Sequence, residues 1–414
     1  MSASNGLVIV GGGLAGARAA EGARQAGYEG PIRIVAGEDA MPYIRPPLSK
    51  EFLLGKDDRA SIDVHPAGWY AEQRVEVLRG RRVTSLEPAA HTVSIGDGEV
   101  MAYDRLLLAT GASPRRFRGS GADLAGVHLL RTVDDSIALR EALAPGGRRV
   151  VIIGAGWIGL EVAAAARGYG NDVTVLGLET VPLNAAIGDA AGAVFGDLHR
   201  EHGVTLRMST SVAGMVGADG RVTGVEIEGG EQVRADIVVV GIGAIPETAL
   251  AEAAGLEVDN GVTTDAGFRT SADDVFAVGD VASVFHPVLR RPIRIEHWAN
   301  ADVAGRAAGR AMAGQVVEYD EIPYFYTDQY DLGMEYSGYG MLAKGIEPVF
   351  RGDRDGREFV AFWVSSGKVV AGMNVNVWDV NETVQRLIRD EVVVDPARLA
   401  DPAVPLEALV GTSG

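Results

Sequence analysis

The stretch LVIVGGGLAGARAAEGARQAG (residues 7–27), with PIRIVAGED (residues 31–39) close behind it, decides the fold class of this chain. An apolar run enters a glycine-rich turn, an alanine-rich segment follows, and a second apolar run comes next. This order predicts a strand, a helix and a second strand, which is a βαβ unit.

Three glycines at this turn, Gly11, Gly13 and Gly16, form a G-x-G-x-x-G motif. Such glycines allow a tight turn, let the backbone approach a pyrophosphate, and permit close packing of helix on strand. The helix N-terminus then offers free N–H groups to the phosphate. Glu38 follows Gly16 at the spacing expected for an acid that accepts a ribose hydroxyl. This context favours a dinucleotide site over a purely structural glycine turn.

The same pattern recurs in RRVVIIGAGWIGLEVAAAARGYG (residues 148–170) and DVTVLGLET (residues 172–180). The second set of glycines is Gly154, Gly156 and Gly159. Here Gly177 stands where the ribose acid is expected. Two copies of one unit predict an α/β fold with two Rossmann-like dinucleotide-binding domains.

Three further apolar runs that end in or close to glycine, at residues 103–112, 235–244 and 273–280, suggest that the chain leaves the first domain and later returns to it. We therefore predict a discontinuous first domain of residues 1–115 and 240–320 and a second domain of residues 116–239. Residues 321–414 are predicted to form a small α+β domain. In it, EFVAFWVSSGKVVAGMNVNVW (residues 358–378) reads as two strands joined by a Ser-Ser-Gly-Lys turn, and an amphipathic helix and an irregular end follow.

Composition narrows the function. The 38 basic and 56 acidic residues give a net charge of −18, which argues against general nucleic-acid binding. The chain has no cysteine, so it has neither a redox dithiol nor a thiolate metal site, and no metal site is predicted. No apolar run reaches transmembrane length and no signal peptide is evident, so no membrane association is predicted and the expected location is the cytoplasm.

Two other segments hold candidate functional side chains. In PYIRPPLSK (residues 42–50), Pro46 and Pro47 restrict the backbone beside Lys50. Lys50 is either a solvated lysine at a helix start capped by Ser49, or a fixed cation beside a cofactor that gains negative charge. Asp280 follows an apolar run and is either a ligand contact at the end of a strand or a helix cap.

Seven motifs follow one another along nearly the whole chain: RPPLSK, LLLATGA, GAGWIGLEVA, GIGAIPE, DVFAVGD, EHWANA and AGMNVNVWDVN. Together they resemble the flavoprotein ferredoxin reductases that serve oxygenase and cytochrome P450 systems. Apoptosis-inducing factor and monodehydroascorbate reductase share that fold, which is similar to glutathione reductase without its catalytic disulfide. The resemblance implies FAD at the first site, a reduced nicotinamide at the second, and a ferredoxin as electron acceptor.

The resemblance also implies roles for individual residues. Lys50 would lie near flavin N5, Asp280 would hold the ribityl chain, and Glu161 would contact the nicotinamide end of the coenzyme, with Gly243 along it. The other residues implied at the FAD site are Arg45, Thr110, Gly111, Arg115, Glu296, His297 and Trp298.

The sequence departs from the family pattern at three positions. Ile44 replaces an acidic residue before the arginine of RPPLSK. Tyr326 stands in YFYTDQ where the family has a tryptophan thought to mediate electron transfer. The third departure is Gly177.

The coenzyme preference follows from charge near Gly177. A 2′-phosphate needs a cation near the end of the second strand, but residues 168–198 contain no lysine or arginine. We therefore predict NADH rather than NADPH, with Glu179 as the ribose ligand. Gly177 is interpreted as the residue that lets the loop bend towards it.

Three functions remain open on this basis: a ferredoxin reductase, a reductase of a small acceptor such as monodehydroascorbate or a quinone, and a redox sensor similar to apoptosis-inducing factor. An acidic ferredoxin would need a basic landing surface. The preferred candidates are Arg290, Arg291 and Arg294, and the alternatives are Arg79, Arg81, Arg82, Arg115, Arg116 and Arg118. Solvated surface arginines are an equally acceptable reading, and the oligomeric state stays open.

Overall fold

The computed structural model describes residues 5–96 and 98–410. These divide into two compact units, each built from three segments of the chain. The first unit consists of the chain up to Ile44, Arg59–Ser113 and Ile245–Pro323. The second consists of Arg45–Asp58, Pro114–Ala244 and the chain from Tyr324 onward. Short strands, Ala112–Pro114 and Ala244–Pro246, lie at two of the borders.

The first unit is built on a parallel five-stranded sheet whose strands are apolar because helices or other segments cover them. In spatial order the strands are Val275–Ala277, Arg105–Leu108, Leu7–Val10, Ile32–Val35 and Val75–Leu78. A three-stranded antiparallel sheet and a three-stranded mixed sheet, in which Val262–Thr264 runs parallel to Ala282–His286, complete the unit. The antiparallel sheet contains Val83–Glu87, Thr92–Ile95 and Glu99–Ala102, and the mixed sheet Val262–Thr264, Ala282–His286 and Arg291–Ile293.

Two long helices of the first unit, Leu14–Gln25 and Trp298–Met312, pack with their backbones close together. Small residues allow this approach: a Cβ added to Gly309 would lie 2.0 Å from the Ala19 carbonyl oxygen. The shorter helices are Trp69–Glu72 and Ala249–Ala253. The close pairing fixes the N-terminal turn of the first helix above the central strand of the sheet.

The second unit contains another parallel sheet of the same kind. Its strands, in spatial order, are Thr205–Arg207, Asp172–Leu176, Arg149–Ile153, Ile237–Val240 and Val127–His128. The helices of this part are Val133–Leu143, Trp157–Gly168 and Asn184–Glu201, the last with a kink at Gly188. A three-stranded antiparallel sheet lies in the same chain segment: Val212–Ala218, Arg221–Ile227 and Gln232–Arg234.

The C-terminal part of the second unit is a five-stranded antiparallel sheet. In spatial order its strands are Tyr324–Gln329, Leu332–Gly338, Lys368–Val375, Glu358–Ser365 and Val349–Asp353. The predicted turn joins two of these strands, and Ser366 and Gly367 both have positive φ, as a tight hairpin of this twist requires. The helices here are Gly340–Ala343, Asn381–Arg389 and Pro396–Ala400.

The predicted α/β class with two Rossmann-like sheets is confirmed. The prediction of a helix that starts at Lys50 is wrong: a short 3₁₀ helix over Pro46–Ser49 ends just before this residue. The end of the chain, expected to be irregular, contains the helix Pro396–Ala400. Within the described residues, no helix is long and apolar enough to cross a membrane. The three-domain division stays a prediction.

Candidate dinucleotide and redox sites

The first glycine turn has the geometry of a phosphate cradle. Gly11 has φ of +126°, and a Cβ there would lie 2.1 Å from the Ala109 carbonyl oxygen, so only glycine fits. A Cβ on Gly16 would lie 2.3 Å from the Gly11 carbonyl oxygen. In contrast, a Cβ on Gly13 would meet no described atom within 4 Å. Gly13 caps the helix without a side-chain hydrogen bond, so no capping side chain competes with a phosphate for the first N–H groups of the helix.

The acid expected beside this cradle is Glu38, just after the strand Ile32–Val35. The Tyr43 hydroxyl donates a hydrogen bond of 2.5 Å to Glu38 Oε2. This contact holds one carboxylate oxygen and fixes the side chain at the carboxyl end of the strand, where Rossmann-like folds bind a ribose.

Further predicted residues lie at the same edge of the first unit. Asp280 lies in the 3₁₀ turn Gly279–Val281, directly after the strand Val275–Ala277. The Thr110 hydroxyl donates to the Glu247 carbonyl oxygen at 2.9 Å, and the Glu247 N–H donates to the Gly111 carbonyl oxygen at 2.9 Å. The loop after Leu108 is therefore held by contacts to the backbone of Glu247, the last residue of the GIGAIPE motif, to which the sequence analysis gave no role.

Trp298 is the first residue of the helix Trp298–Met312, and His297 is its N-cap. The Trp298 Nε1 atom is buried, and no described group accepts a hydrogen bond from it. A buried donor of this kind costs free energy unless a ligand satisfies it. The ring packs with Ile44 against a small cluster that includes Leu14 and Val64, which explains why an apolar residue suits position 44.

Glu296 and Arg294 form an ion pair, and Arg294 also donates to the Asp280 carbonyl oxygen at 3.3 Å. The Arg294 side chain is only 14% exposed. The prediction that Arg294 contributes to an exposed landing surface is therefore wrong. Arg290 and Arg291 are exposed at the end of the hairpin formed by Ala282–His286 and Arg291–Ile293.

The second glycine turn repeats the first. Gly154 has φ of +110°, and a Cβ there would lie 2.2 Å from the Gly241 carbonyl oxygen. A Cβ on Gly159 would lie 2.1 Å from the Gly154 carbonyl oxygen, whereas one on Gly156 would meet no described atom within 4 Å. Gly156 caps its helix without a side-chain hydrogen bond. The second unit thus holds a second open cradle of the same kind.

Side-chain packing, and not backbone conformation, explains why position 177 holds a glycine. Its φ lies outside the left-handed region, so the interpretation that glycine was needed to bend the loop is wrong. A Cβ at this position would lie 2.6 Å from Met208 Cε and 3.0 Å from Ala155 Cβ. The Met208 side chain fills the place where an acidic side chain would start. Glu179 lies in the following turn, where its carbonyl oxygen accepts from the Ser209 N–H at 2.8 Å.

The fold brings a cation that lies outside residues 168–198 close to Gly177. Arg207 pairs in register with Leu176 at the end of the neighbouring strand. Its guanidinium makes two hydrogen bonds to Glu231, of 2.6 and 2.8 Å. The Glu231 carboxylate raises the pKa of Arg207, so this cation is already paired with an acid.

The most enclosed charged cluster of the predicted site lies around Glu161, in the helix that follows the second cradle. Lys50 Nζ lies 2.9 Å from Glu161 Oε1, and the two side chains are only 10% and 4% exposed. The Ser49 hydroxyl donates to Glu161 Oε2 at 2.5 Å, and the Thr327 hydroxyl donates to Oε1 at 2.6 Å. A buried carboxylate is tolerable here because a cation and two hydroxyl donors compensate it.

Tyr326 is the neighbour of Thr327 on the strand Tyr324–Gln329 and points the other way, with 38% of its surface exposed. Lys50 Nζ lies 5.8 Å from the centre of its ring, within the range of a cation–π contact. Arg45 donates to the Arg131 carbonyl oxygen. Gly243 has φ of +97°, and its carbonyl oxygen accepts from the Arg115 N–H at 2.8 Å.

His199 is a buried titratable residue that sequence analysis did not single out. It is fully buried, and its Nε2 lies 2.8 Å from Gln329 Oε1. Burial lowers the pKa of His199 to about 4. The folded protein therefore holds this imidazole neutral at pH 7.

This burial gives a prediction for stability. The unfolded chain takes up a proton at His199 below its ordinary pKa of 6.5, whereas the folded protein does not until about pH 4. Stability is complete above pH 6.5 and falls as the pH is lowered, by about 2 kcal/mol at pH 5 from this residue alone. The free energy of unfolding is measured with urea for wild type and His199→Gln. Between pH 7 and pH 5 it should fall by about 2 kcal/mol more in wild type than in the variant. An equal fall in both proteins would contradict the prediction.

Residues 5–307 match the family model described as pyridine nucleotide-disulphide oxidoreductase, and residues 324–410 match the reductase C-terminal model. The chain belongs to the pyridine nucleotide-disulphide oxidoreductase family. It is 40% identical over 405 residues to the anthranilate 1,2-dioxygenase system ferredoxin–NAD(+) reductase component of Burkholderia cepacia, covering 98% of this chain and 99% of that protein. It is 36% identical over 420 residues to putidaredoxin reductase of Pseudomonas putida, covering 100% and 98%.

A solved structure of this oxidoreductase family agrees. The crystal structure of a covalent putidaredoxin reductase–putidaredoxin complex matches with a TM-score of 0.93 and 36% identity, over 99% of both chains. The predicted resemblance to ferredoxin reductases is confirmed. The family name refers to disulphide chemistry, but this chain has no cysteine. The residues of this chain therefore supply no redox dithiol.

Proposed function

We propose that the protein passes a hydride from NADH to FAD and then single electrons to a ferredoxin that serves an oxygenase or a cytochrome P450. The observation that carries this proposal is the pair of open phosphate cradles, at Gly13 and Gly156, in a chain without cysteine. FAD supplies the change from two-electron to one-electron chemistry: one NADH delivers two electrons, and two ferredoxins each accept one. This chain offers no dithiol as an intermediate carrier, so bound FAD would have to pass its electrons on without one.

The residues present fit both dinucleotides. For FAD, the first cradle would hold the pyrophosphate and Glu38 the ribose, with Asp280 and the buried Trp298 Nε1 as further polar partners. The other residues assigned to this group are Arg45, Thr110, Gly111, Arg115, Glu296 and His297. For NADH, the second cradle would hold the pyrophosphate, Glu179 the ribose, and Glu161 and Gly243 the nicotinamide end.

The protein's own part in the reaction is electrostatic. A bound flavin would gain negative charge on reduction, and a fixed cation in a water-poor site would stabilise such charge without reorganisation. Lys50 would be that cation, and Glu161, with Ser49 and Thr327 bound to it, would determine where the ammonium lies. Tyr326 offers a half-exposed aromatic surface for electron exit.

The experiment that tests this function compares electron acceptors. Purified protein is supplied with NADH and a panel of ferredoxins, and the rates are compared with those for a quinone and for monodehydroascorbate. Ferredoxin reduction with a much higher kcat/KM supports the proposal. Equal or better reduction of a small acceptor would instead favour the second candidate function, which the replacement of the usual tryptophan by Tyr326 makes worth testing.

Ferredoxin reduction should depend on Arg290 and Arg291. Both are exposed on one hairpin of an otherwise acidic protein, so they can attract an acidic partner. The double substitution Arg290→Glu/Arg291→Glu should raise KM for ferredoxin about tenfold and flatten its dependence on salt, while ferricyanide reduction stays unchanged. The measurement is steady-state reduction of both acceptors between low and high ionic strength.

The matched control is Arg221→Glu/Arg234→Glu, which makes the same change of charge at two exposed arginines of another sheet. This control should leave the KM for ferredoxin close to that of wild type. If both double variants raise KM equally, net charge alone is responsible. If the first variant loses both acceptors equally, the hairpin is structural.

We also propose a cytoplasmic location, where NADH is available.

A further inference from the structure

We infer that Thr327, Gln329 and His199 are positioning residues that orient the Glu161 carboxylate, and through it Lys50, for flavin reduction. The inference deepens the proposed function and rests on it for the role of Glu161. All of the residues concerned lie in the second unit. Sequence motifs gave no role to these three.

The first step is that the three side chains share one buried face. Thr327 and Gln329 are two residues apart on the strand Tyr324–Gln329, so both point to the same side of the sheet. Each is only 1% exposed, and His199 is 0% exposed. Three polar side chains in one interior are costly unless they satisfy each other.

The second step is that they form a continuous chain of hydrogen bonds. His199 Nε2 lies 2.8 Å from Gln329 Oε1, and Gln329 Nε2 lies 3.3 Å from Thr327 Oγ1. Thr327 Oγ1 lies 2.6 Å from Glu161 Oε1. The chain therefore joins the helix Asn184–Glu201 to the carboxylate through the edge strand of the C-terminal sheet.

The third step is that all hydrogen bonds of this series donate in the same direction, towards Glu161. An ionised carboxylate can only accept, so Thr327 uses its single hydroxyl proton to donate to Glu161. The threonine oxygen then accepts from the Gln329 amide nitrogen, which turns the amide oxygen towards His199. His199 must therefore carry a proton on Nε2. No described group pairs with its Nδ1, which is the acceptor nitrogen of this neutral tautomer.

The fourth step decides what such a chain can do. Every donor points towards Glu161, so each bond polarises the next and strengthens the last one. An amide does not readily pass on a proton, so Gln329 makes the chain unsuited to proton transport. What remains is orientation. Oε1 receives both Thr327 and Lys50, so the chain fixes the oxygen against which Lys50 is held.

The test uses isosteric and conservative substitutions of one residue. Thr327→Val keeps the shape and removes the donor, whereas Thr327→Ser keeps the donor. In protein labelled with ¹³C at the glutamate carboxyls and without coenzyme, the Glu161 resonance, assigned with Glu161→Gln, should move in Thr327→Val and return towards wild type in Thr327→Ser. Flavin reduction at saturating NADH should slow about tenfold in Thr327→Val, the size seen when outer partners of a site are removed, and should recover in Thr327→Ser.

Two further variants complete the design. Thr264→Val removes a buried hydroxyl that has no partner among the described residues of the first unit, so resonance and rate should stay at wild-type values. Gln329→Leu should slow the reaction less than Thr327→Val and change the His199 side-chain ¹⁵N signals, and it decides the matter if Thr327→Val does not fold.

An unmoved Glu161 resonance in Thr327→Val, or a Thr327→Ser variant as slow as the valine one, would overturn the inference. The resonance is measured without NADH or ferredoxin. Failure of the proposed function, seen as no electron transfer to any ferredoxin, is thus a separate result.

Discussion

Lys50→Met should slow reduction of the bound flavin by NADH about 10²–10³-fold, because it removes one preorganised group that stabilises the developing negative charge. The Lys50 side chain is held in place, and water has little access to take over the role of its ammonium group. Lys50 follows two prolines, its side chain is 10% exposed, and its ammonium lies 2.9 Å from Glu161. The measurement is stopped-flow absorbance of the flavin at saturating NADH.

The same substitution also leaves the Glu161 carboxylate buried without its cation, which costs about 3–5 kcal/mol in comparable pairs. A double variant, Lys50→Met/Glu161→Gln, separates this effect from catalysis. The double variant should regain thermal stability but remain slow in flavin reduction. Lys56→Met, a change at an exposed lysine of the same segment, should leave both thermal stability and flavin reduction at their wild-type values. Unchanged flavin reduction in Lys50→Met would refute the role of this lysine.

Local patterns explain what could be predicted from the sequence. The glycine cradles could be predicted because the three glycines of each motif are near neighbours in the chain, although the carbonyl groups that require Gly11 and Gly154 come from the remote residues Ala109 and Gly241. The hairpin turn at Ser366 and Gly367 is local as well. In each case the spacing of glycines and apolar residues determines the backbone. The position of Glu38 follows as well, because the end of a strand fixes where the next side chains lie.

Contacts between distant segments explain what could not be predicted. Ser49 and Thr327 are 112 and 166 residues from Glu161 in sequence, yet both donate to its carboxylate. Ser49 was interpreted as a helix cap, which is a local reading of a residue whose partner is remote. In the same way, Gly177 is explained by Met208, which directly follows the neighbouring strand Thr205–Arg207, and no pattern around Gly177 itself contains that information.

The coenzyme preference should be strong: we expect kcat/KM for NADH to exceed that for NADPH about a hundredfold. A 2′-phosphate near Gly177 would lose its hydration, and the cation that the described residues place there, Arg207, is already bound twice by Glu231. An unpaired charged group costs about 3 kcal/mol or more on burial, which corresponds to a factor of this size. The Glu179 carboxylate would add repulsion, whereas ribose hydroxyls can donate to it.

Glu179→Ala separates the two parts of this argument. It should lower kcat/KM for NADH about tenfold by removing the ribose acceptor, and it should narrow the gap to NADPH because the repulsion is removed as well. Glu228→Ala, at an exposed position of the same unit, makes the same change of charge and should leave the ratio as it is. A wild type that prefers NADPH would show that a cation reaches the phosphate after all, with Arg207 the first to examine. If Glu179→Ala instead leaves both coenzymes unaffected, the ribose is held by another group and the pairing of Arg207 with Glu231 alone determines the preference.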